Sequence, residues 1–461
     1  MKQQGNYDLT NGGILRKLLL VAVPIMGTQL MQMTYNLTDM FWLGQGVDSA
    51  AVAASGSAGM YLWLSVAFLM IGRMGAEIGV SQSLGSREPE TALKYARNAV
   101  FLAMVLGVIY GAALLLLSTP LIRLIGIREE ALVKDSSVYL SIVALGIPFT
   151  FVSGALTGTF NGAGNARLSF LANAVGLVVN MALDPLLILG FHMGVVGAAV
   201  ATILAQMVVC GLFIYFAKFH KARPFPRFVL FSRPSGETIH RIFRWCVPVS
   251  LENMLFCLLA MGTTRIVASF GQDAIAIQRV GAQIESLSWL IGGGFGTAVT
   301  AFVGQNFGAK KWTRIHAGFK ISYQAMTIWG VLISVLMFFG ARTLYRVFIQ
   351  AGETRILDGG AVYLRIFAVC QLLTCLEAVG AGMFRGMGKT LPPSVSSISV
   401  NILRVPLAYA LSRTALGLEG IWWAISLTAC IRGAVIMVWY LIYARTLPKE
   451  DLSLRTEHGG L

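Results

Sequence analysis

FNGAGNARLSFLANAVGLVVNMALDPLLILG, residues 160–190, is the stretch that decides the fold. From Leu168 to Gly190 it is apolar apart from one carboxylate, Asp184, and a few neutral polar residues, Asn180 among them one helical turn before Asp184. A helix rises about 1.5 Å per residue, so a run of this length crosses a hydrocarbon core about 30 Å thick. Pro185 has no N–H to donate, so the helix is expected to kink there and to free the carbonyl of Met181. Eleven more runs of spanning length lie near residues 15–43, 52–83, 97–118, 137–158, 194–217, 243–270, 283–304, 317–340, 361–383, 393–413 and 419–444. The expected class is therefore an all-α polytopic membrane protein of about twelve transmembrane helices.

The opening heptad also has an echo. FNGAGNA, from Phe160, matches FRGMGKT, from Phe384, 224 residues on. Pro24 of AVPIMGTQL matches Pro248 of CVPVSLENM at the same interval. SQSLGSRE, from Ser81, matches GQNFGAKK, from Gly304, and GVVGAAVA, from Gly194, matches GLEGIWWA, from Gly417, each 223 residues on. Six spans per half means that the halves point the same way through the membrane, as pseudo-symmetric lobes related by an axis along its normal. A substrate is then expected in a central cavity between the halves, with transport by rocking of one half against the other. The expected boundaries are an N-terminal lobe at 1–218, a cytoplasmic linker at 219–242, a C-terminal lobe at 243–445 and a cytoplasmic tail at 446–461.

Charge sets the orientation. The linker KFHKARPFPRFVLFSRPSGETIHRIFR holds seven Lys/Arg, and with the N-terminus inside, the inner loops and tails hold about 23 of the 36 Lys/Arg against about 9 outside. Both termini are expected in the cytoplasm and the chain in the inner (plasma) membrane. A net charge of +15 could suggest nucleic acid, but the basic residues sit in breaks between apolar runs rather than in a stripe with aromatics, so no nucleic-acid partner is expected; the partner is the lipid bilayer. Charged residues make up 12% and apolar residues 56%, with a mean hydropathy of +0.71, too few charges for a water-facing surface.

Other chemistries lack their residues. The six cysteines lie in or beside apolar runs without a CxxC and read as small core hydrophobes. The five histidines are scattered, and no nucleophile–base pair or metal motif points to an enzyme. GMFRGMGKT, from Gly382, has glycine spacing one residue too long for a phosphate loop and no strand before it. IGGGFG, from Ile291, reads as close helix contact, and the sequon at Asn36 lies inside a span.

A carboxylate deep in a span costs about 2.5–3.5 kcal/mol on insertion scales, so it marks function by default. Asp39 shares a helical face with Gln29, Gln32, Tyr35 and Asn36, a polar stripe expected to face a cavity rather than lipid. Na+ wants several oxygens, which Asp184, Asn180, Asp39 and the Thr202 hydroxyl would supply. A proton is the other occupant, because two carboxylates in a dry site resist being ionised together. Both ions fit the same pair. Arg73 and Glu77, one turn apart, are expected as a local ion pair; Arg265, Arg404 and Arg432 would pair with Glu252, Glu285 or Glu377 in an order the sequence leaves open.

The paired halves, the pattern Pro24-x10-Tyr35-Asn-Leu-Thr-Asp39, the loops SQSLGSRE and GQNFGAKKWTR, and the segments FNGAGNA and GVVGAAVAT together resemble the multidrug and toxic compound extrusion family, MATE, over roughly residues 14–445. With Asp39 and the Asn180–Asp184 pair in its first half, the chain is most similar to the DinF-like branch. The resemblance implies a V-shaped two-lobed fold and export of small-molecule drugs or toxic metabolites, cationic or amphiphilic, in exchange for Na+ or H+. No cofactor beyond the transported ion and no oligomer beyond the monomer is expected. It carries Tyr35, Asp39, Asn180, Asp184 and Thr202 over as the coupling site. The NorM-like branch places a cation site in its second half, on acidic residues of the seventh and eighth helices. Here Glu252 stands in the seventh, but no clear acidic partner lies deep in the eighth, so coupling is assigned to the first half. Gln32, Asn36, Met33, Glu252 and Asn253 are assigned to the substrate cavity; methionines such as Met33 suit an adaptable pocket. The alternative is a flippase for a lipid-linked precursor of the same wider superfamily. Such carriers add spans or hold a strongly basic cavity, whereas the first half has only Arg73 as a deep base and its cavity reads as acidic.

Overall fold

The computed structural model describes residues 8–46, 49–125, 129–225, 228, 233–349 and 352–451, with side chains omitted over 35–46 and 49–53. The first half runs α1 (Ile14–Gly46), α2 (Ser49–Gly85), α3 (Pro89–Leu116), α4 (Ser118–Leu124), α5 (Glu130–Ala144), α6 (Ile147–Gly162), α7 (Ala166–Pro185) and α8 (Gly194–Lys218). The second runs α9 (Gly236–Ala268), α10 (Gln272–Gly308), α11 (Trp312–Phe339), α12 (Ala341–Arg346), α13 (Thr354–Gly386), α14 (Leu391–Ser412) and α15 (Gly417–Ala444). Among the described residues, eleven helices are long and apolar enough to span a bilayer, twelve if the bent pair α5–α6 counts as one span. The chain is a multi-pass, all-helical membrane protein.

The expected single run at 137–158 is that bent pair, broken by 48°. Pro148 explains the break: its ring excludes the carbonyl of Ala144, the last residue of α5, and it has no N–H to continue the ladder. Leu145 and Gly146 close the first part with short bonds to the carbonyls of Ile142 and Val143, at 3.0 and 2.9 Å.

The chain divides into two compact units, one built on Leu20–Ser250 and the other on Thr10–Leu19 with the residues from Leu251 onward. In the first unit the start of α9 is held by Ile242, packed on Gly75, by the Tyr95–Trp245 stack at 5.6 Å, and by the Arg241 Nη1 donation to Tyr95 Oη at 3.0 Å. In the second, Lys311 Nζ donates to the Thr10 carbonyl at 2.9 Å and Arg314 Nη1 to the Gly12 carbonyl at 2.9 Å. Asp451 Oδ1 accepts the Thr313 N–H at 2.9 Å and so caps α11.

The repeat is visible in the backbone. Arg87 and Lys310, both left-handed with φ of 61° and 55°, are 223 residues apart. Gly164 and Gly388 are 224 apart with φ of 80° and 73°, and Gly194 and Gly417 are 223 apart with φ of 53° and 51°. Gly164 and Gly388 end α6 and α13 in the same way: the next N–H, of Asn165 or Lys389, reaches back to Phe160 or Phe384 at 2.8 and 2.9 Å. The sequence FxGxG is thus a helix-ending device used twice, and it needs glycine at the left-handed residue.

Glycine contacts set how closely the helices approach. A Cβ on Gly158 would lie 2.0 Å from the Arg73 carbonyl and one on Gly162 2.6 Å from that of Glu77, so α6 rests directly on the backbone of α2. Their partners in the repeat, Gly382 and Gly386, rest α13 on α10 in the same manner, at 2.6 Å from Gly296 O and 2.7 Å from Thr300 O. Aromatic side chains fill the core of each unit: Phe151, Phe160 and Phe213 in the first, Tyr363, Phe367 and Trp422 in the second. Large apolar side chains such as Leu116, Ile328 and Phe339 point outward, as lipid contact requires.

Candidate cation and substrate sites

Asn180 and Asp184 share the buried face of α7, and neither is exposed at all. Asn180 Nδ2 donates to Asp184 Oδ1 at 3.2 Å, while Asn180 Oδ1 is buried with no hydrogen-bond partner among the described residues. An orphaned amide oxygen beside a carboxylate is a donor set that suits a hard monovalent cation. Immediately after Asp184, Pro185 ends the α-helical ladder and the chain opens into a π-helical turn, Leu186–Gly190, closed by Phe191 N–H to Leu186 O at 2.9 Å. The kink expected at Pro185 is therefore a widened turn. Gly197 of α8 packs on that turn: its Cβ would come within 2.9 Å of the Leu187 carbonyl. Thr202, further along α8, is partly buried and donates its hydroxyl to the Ala198 carbonyl at 3.0 Å, leaving its oxygen lone pairs for a ligand.

The first unit also holds a cavity of about 100 Å³, lined among others by Gln29, Gln32, Arg73, Thr157, Asn161 and Gln206. Asn161 Oδ1 and Ser169 Oγ, both on its wall, have no hydrogen-bond partner among the described residues. Arg73 is the one charged residue among the described lining, which is otherwise rich in amides and hydroxyls; the side chain of Asp39, expected to make the cavity acidic, lies outside the described residues. Glu77, one turn on, is buried and within electrostatic reach of Arg73.

In the second unit five helices bring charges together inside the spans. Glu252 of α9 accepts from Ser394 Oγ at 2.9 Å and from Arg385 Nη2 at 3.3 Å. Glu377 of α13 binds Arg432 of α15 at 2.7 Å, and Arg432 also reaches Asn401 Oδ1 at 3.4 Å. Arg404 of α14 donates from Nε to Thr428 Oγ1 at 3.0 Å, and Glu285 of α10 accepts from Tyr363 Oη at 3.4 Å. The four ion-paired side chains are 15–24% exposed although they lie in spans, which calls for a water-lined crevice rather than lipid.

Comparison with known proteins decides the lineage. The MatE family model matches residues 24–186 and again residues 248–410, the two halves of the repeat. The chain belongs to the MatE family. MatE proteins are membrane transporters, and the enzyme reading is excluded with that. This MatE chain is 26% identical over 434 residues to the probable multidrug resistance protein NorM of Thermotoga maritima, covering 93% of this chain and 92% of the relative. It is 23% identical to the multidrug export protein MepA of Staphylococcus saprophyticus, covering 98% and 99%. Among solved structures it superposes on a crystal structure of MATE in the bent conformation with a TM-score of 0.89 at 23% identity, covering 96% of this chain and 98% of that one. An outward-facing multidrug resistance MATE family transporter of the MOP superfamily gives 0.89 at 22% identity, covering 96% and 99%. At such identity the structures establish the fold.

Within this MatE fold the expected site residues have different fates. Asn180 and Asp184 are brought together, and Gln32 lines the cavity. Met33 is partly buried and is not among the residues lining it. The side chains of Tyr35, Asn36 and Asp39 lie outside the described residues. Glu252 is held in an ion pair, with half-buried Asn253 beside it. Arg265 is exposed near the end of α9. Sequence reasoning missed Arg385, hidden in FRGMGKT. The 224-residue register held the signal, because it sets Arg385 opposite Asn161, which lines the first unit's cavity.

Proposed function

We propose that the protein is a secondary active multidrug exporter, expelling cationic or amphiphilic drugs or toxic metabolites in exchange for Na+ or H+ by alternating access. The observation that supports it most is the wholly buried Asn180–Asp184 pair, with an unfilled amide oxygen, at the head of a π-helical turn. A buried carboxylate beside an amide oxygen that no protein donor satisfies can take up either ion. Na+ would sit between Asp184, Asn180 Oδ1 and the Thr202 hydroxyl, with Asp39 and Tyr35 completing the set as the family resemblance implies. H+ would neutralise Asp184 itself. Antiport then requires only that ion and drug compete, or favour opposite-facing states. Names such as multidrug resistance protein NorM and multidrug export protein MepA among the relatives favour drugs over a lipid-linked precursor as cargo. The same proposal includes the DinF-like branch, the inner membrane, cytoplasmic termini and a monomer. The test is dye transport in vesicles with a Na+ gradient at fixed pH and a pH gradient at fixed Na+, applied separately. One of the two is expected to drive transport; if neither does, secondary coupling is wrong.

A further inference from the structure

The charges of the second unit do not all close on one another. Glu252 is matched to Arg385 and Glu377 to Arg432. The third acid and the third base, Glu285 and Arg404, feel each other electrostatically but form no ion pair within 4.0 Å among the described residues. Arg404 is only 7% exposed, and its one hydrogen bond among the described residues, from Nε, goes to a neutral hydroxyl. That hydroxyl is itself fixed, because Thr428 donates it to the Ala424 carbonyl at 2.8 Å. The two terminal nitrogens of Arg404 donate to nothing among the described residues, yet they are not among the sealed unpaired atoms, so they open onto space that solvent reaches. Glu285, partly buried, meets a single neutral donor among the described residues, Tyr363 Oη at a long 3.4 Å.

A guanidinium held this deep with its fork empty is costly unless an anion or ordered water meets it. The fork presents two parallel N–H groups, the geometry that a carboxylate fills with two oxygens. The surroundings choose the ligand further. With Arg432 neutralised by Glu377, a plain cation would be drawn by Glu285 and repelled by Arg404; a plain anion would meet the reverse. A molecule carrying both charges satisfies the split pair at both ends. We infer that the second unit holds a binding site for a zwitterionic amphiphile, with Arg404 taking the carboxylate and Glu285 the cationic group. The inference rests on the transport reading only in supposing that such molecules reach the site. Its test is equilibrium binding without any gradient, so a failure of ion coupling would leave it standing.

The probes are rhodamine 110, a zwitterion with a free carboxylate, and rhodamine 123, its methyl ester, which is a cation of nearly the same shape. Fluorescence anisotropy with the purified full chain in detergent should show the acid binding about tenfold or more tighter than the ester, as expected for a charge-assisted bidentate contact. Arg404→Gln should bring the ratio close to one by weakening the acid, while the ester, no longer repelled by Arg404, binds at least as tightly, which also shows that the variant is folded. If Arg404→Gln does not fold, Arg404→Lys keeps the charge, loses the fork and should lower the ratio severalfold. Equal affinity of both dyes for the wild type, or a ratio that neither substitution changes, would overturn the assignment.

Discussion

Replacing Arg432 by Leu would leave the Glu377 carboxylate buried in the second unit without its counter-ion. The pair is short, 2.7 Å, and its side chains are only 15% and 17% exposed, so water cannot substitute fully. Breaking a buried pair from one side costs about 3–5 kcal/mol; the residual exposure puts this one near 3. Asn401 Oδ1 also loses the 3.4 Å donation from Arg432 Nη1, which adds a fraction of a hydrogen bond. Glu377→Gln should cost less, about 1–3 kcal/mol, because the amide oxygen still accepts from Arg432. Removing both charges, Glu377→Leu with Arg432→Leu, should recover most of the loss, since two desolvated ions disappear together. The assay is reversible unfolding in mixed detergent micelles, read as a double-mutant cycle on Glu377→Leu, Arg432→Leu and the double variant. The cycle should return a coupling of about 2 kcal/mol or more; single effects that add within about 0.5 kcal/mol would refute the reading that the pair is a buried, mutually dependent unit.

The fold carries three further expected outcomes. Gly158→Val drives a side chain into the Arg73 carbonyl, 2.0 Å from the new Cβ, and should cost more than about 3 kcal/mol with loss of folded yield, whereas Gly293→Ala meets nothing within 4 Å and should be neutral or stabilising by about 0.5–1 kcal/mol. Pro185→Ala restores a backbone donor at the head of the π-helical turn; thermal stability in detergent should rise while dye efflux falls, and unchanged efflux would argue that the widened turn is idle. Asp451→Ala removes the cap on Thr313 N–H and should lower stability by about 1 kcal/mol, measurable as a shift in the unfolding midpoint without change in efflux.

The eleven to twelve spans are legible because a bilayer permits nothing else for runs so long and so poor in charge, and the repeat is legible because FxGxG must end a helix with a left-handed glycine in both halves. The break inside the fourth span was written in Pro148, but apolar content hid it: a bent helix and a straight one have the same composition. Helix α9 starts at Gly236, before the apolar run at 243, because its first turns are held by Tyr95 and Gly75 rather than by lipid. Of the candidate site, Asn180 and Asp184 could be read from a one-turn spacing with no competing charge nearby. The acid–base pairings of the second unit could not be read, since Glu252, Glu377, Arg385 and Arg432 come from three helices whose rotations are set by packing. Arg73 feels Glu77 as its one-turn spacing suggests, but its place on the cavity wall beside Thr157 and Asn161 of α6 is set by packing that spacing does not show.

The central claim is that Asp184 carries the coupling ion. Its most direct test is dye transport in vesicles holding either wild-type protein or Asp184→Asn, with the driving ion gradient switched on and off and dye binding measured alongside. The variant should still bind dye but gain nothing from the gradient. Equal stimulation of wild type and Asp184→Asn by the gradient would contradict it.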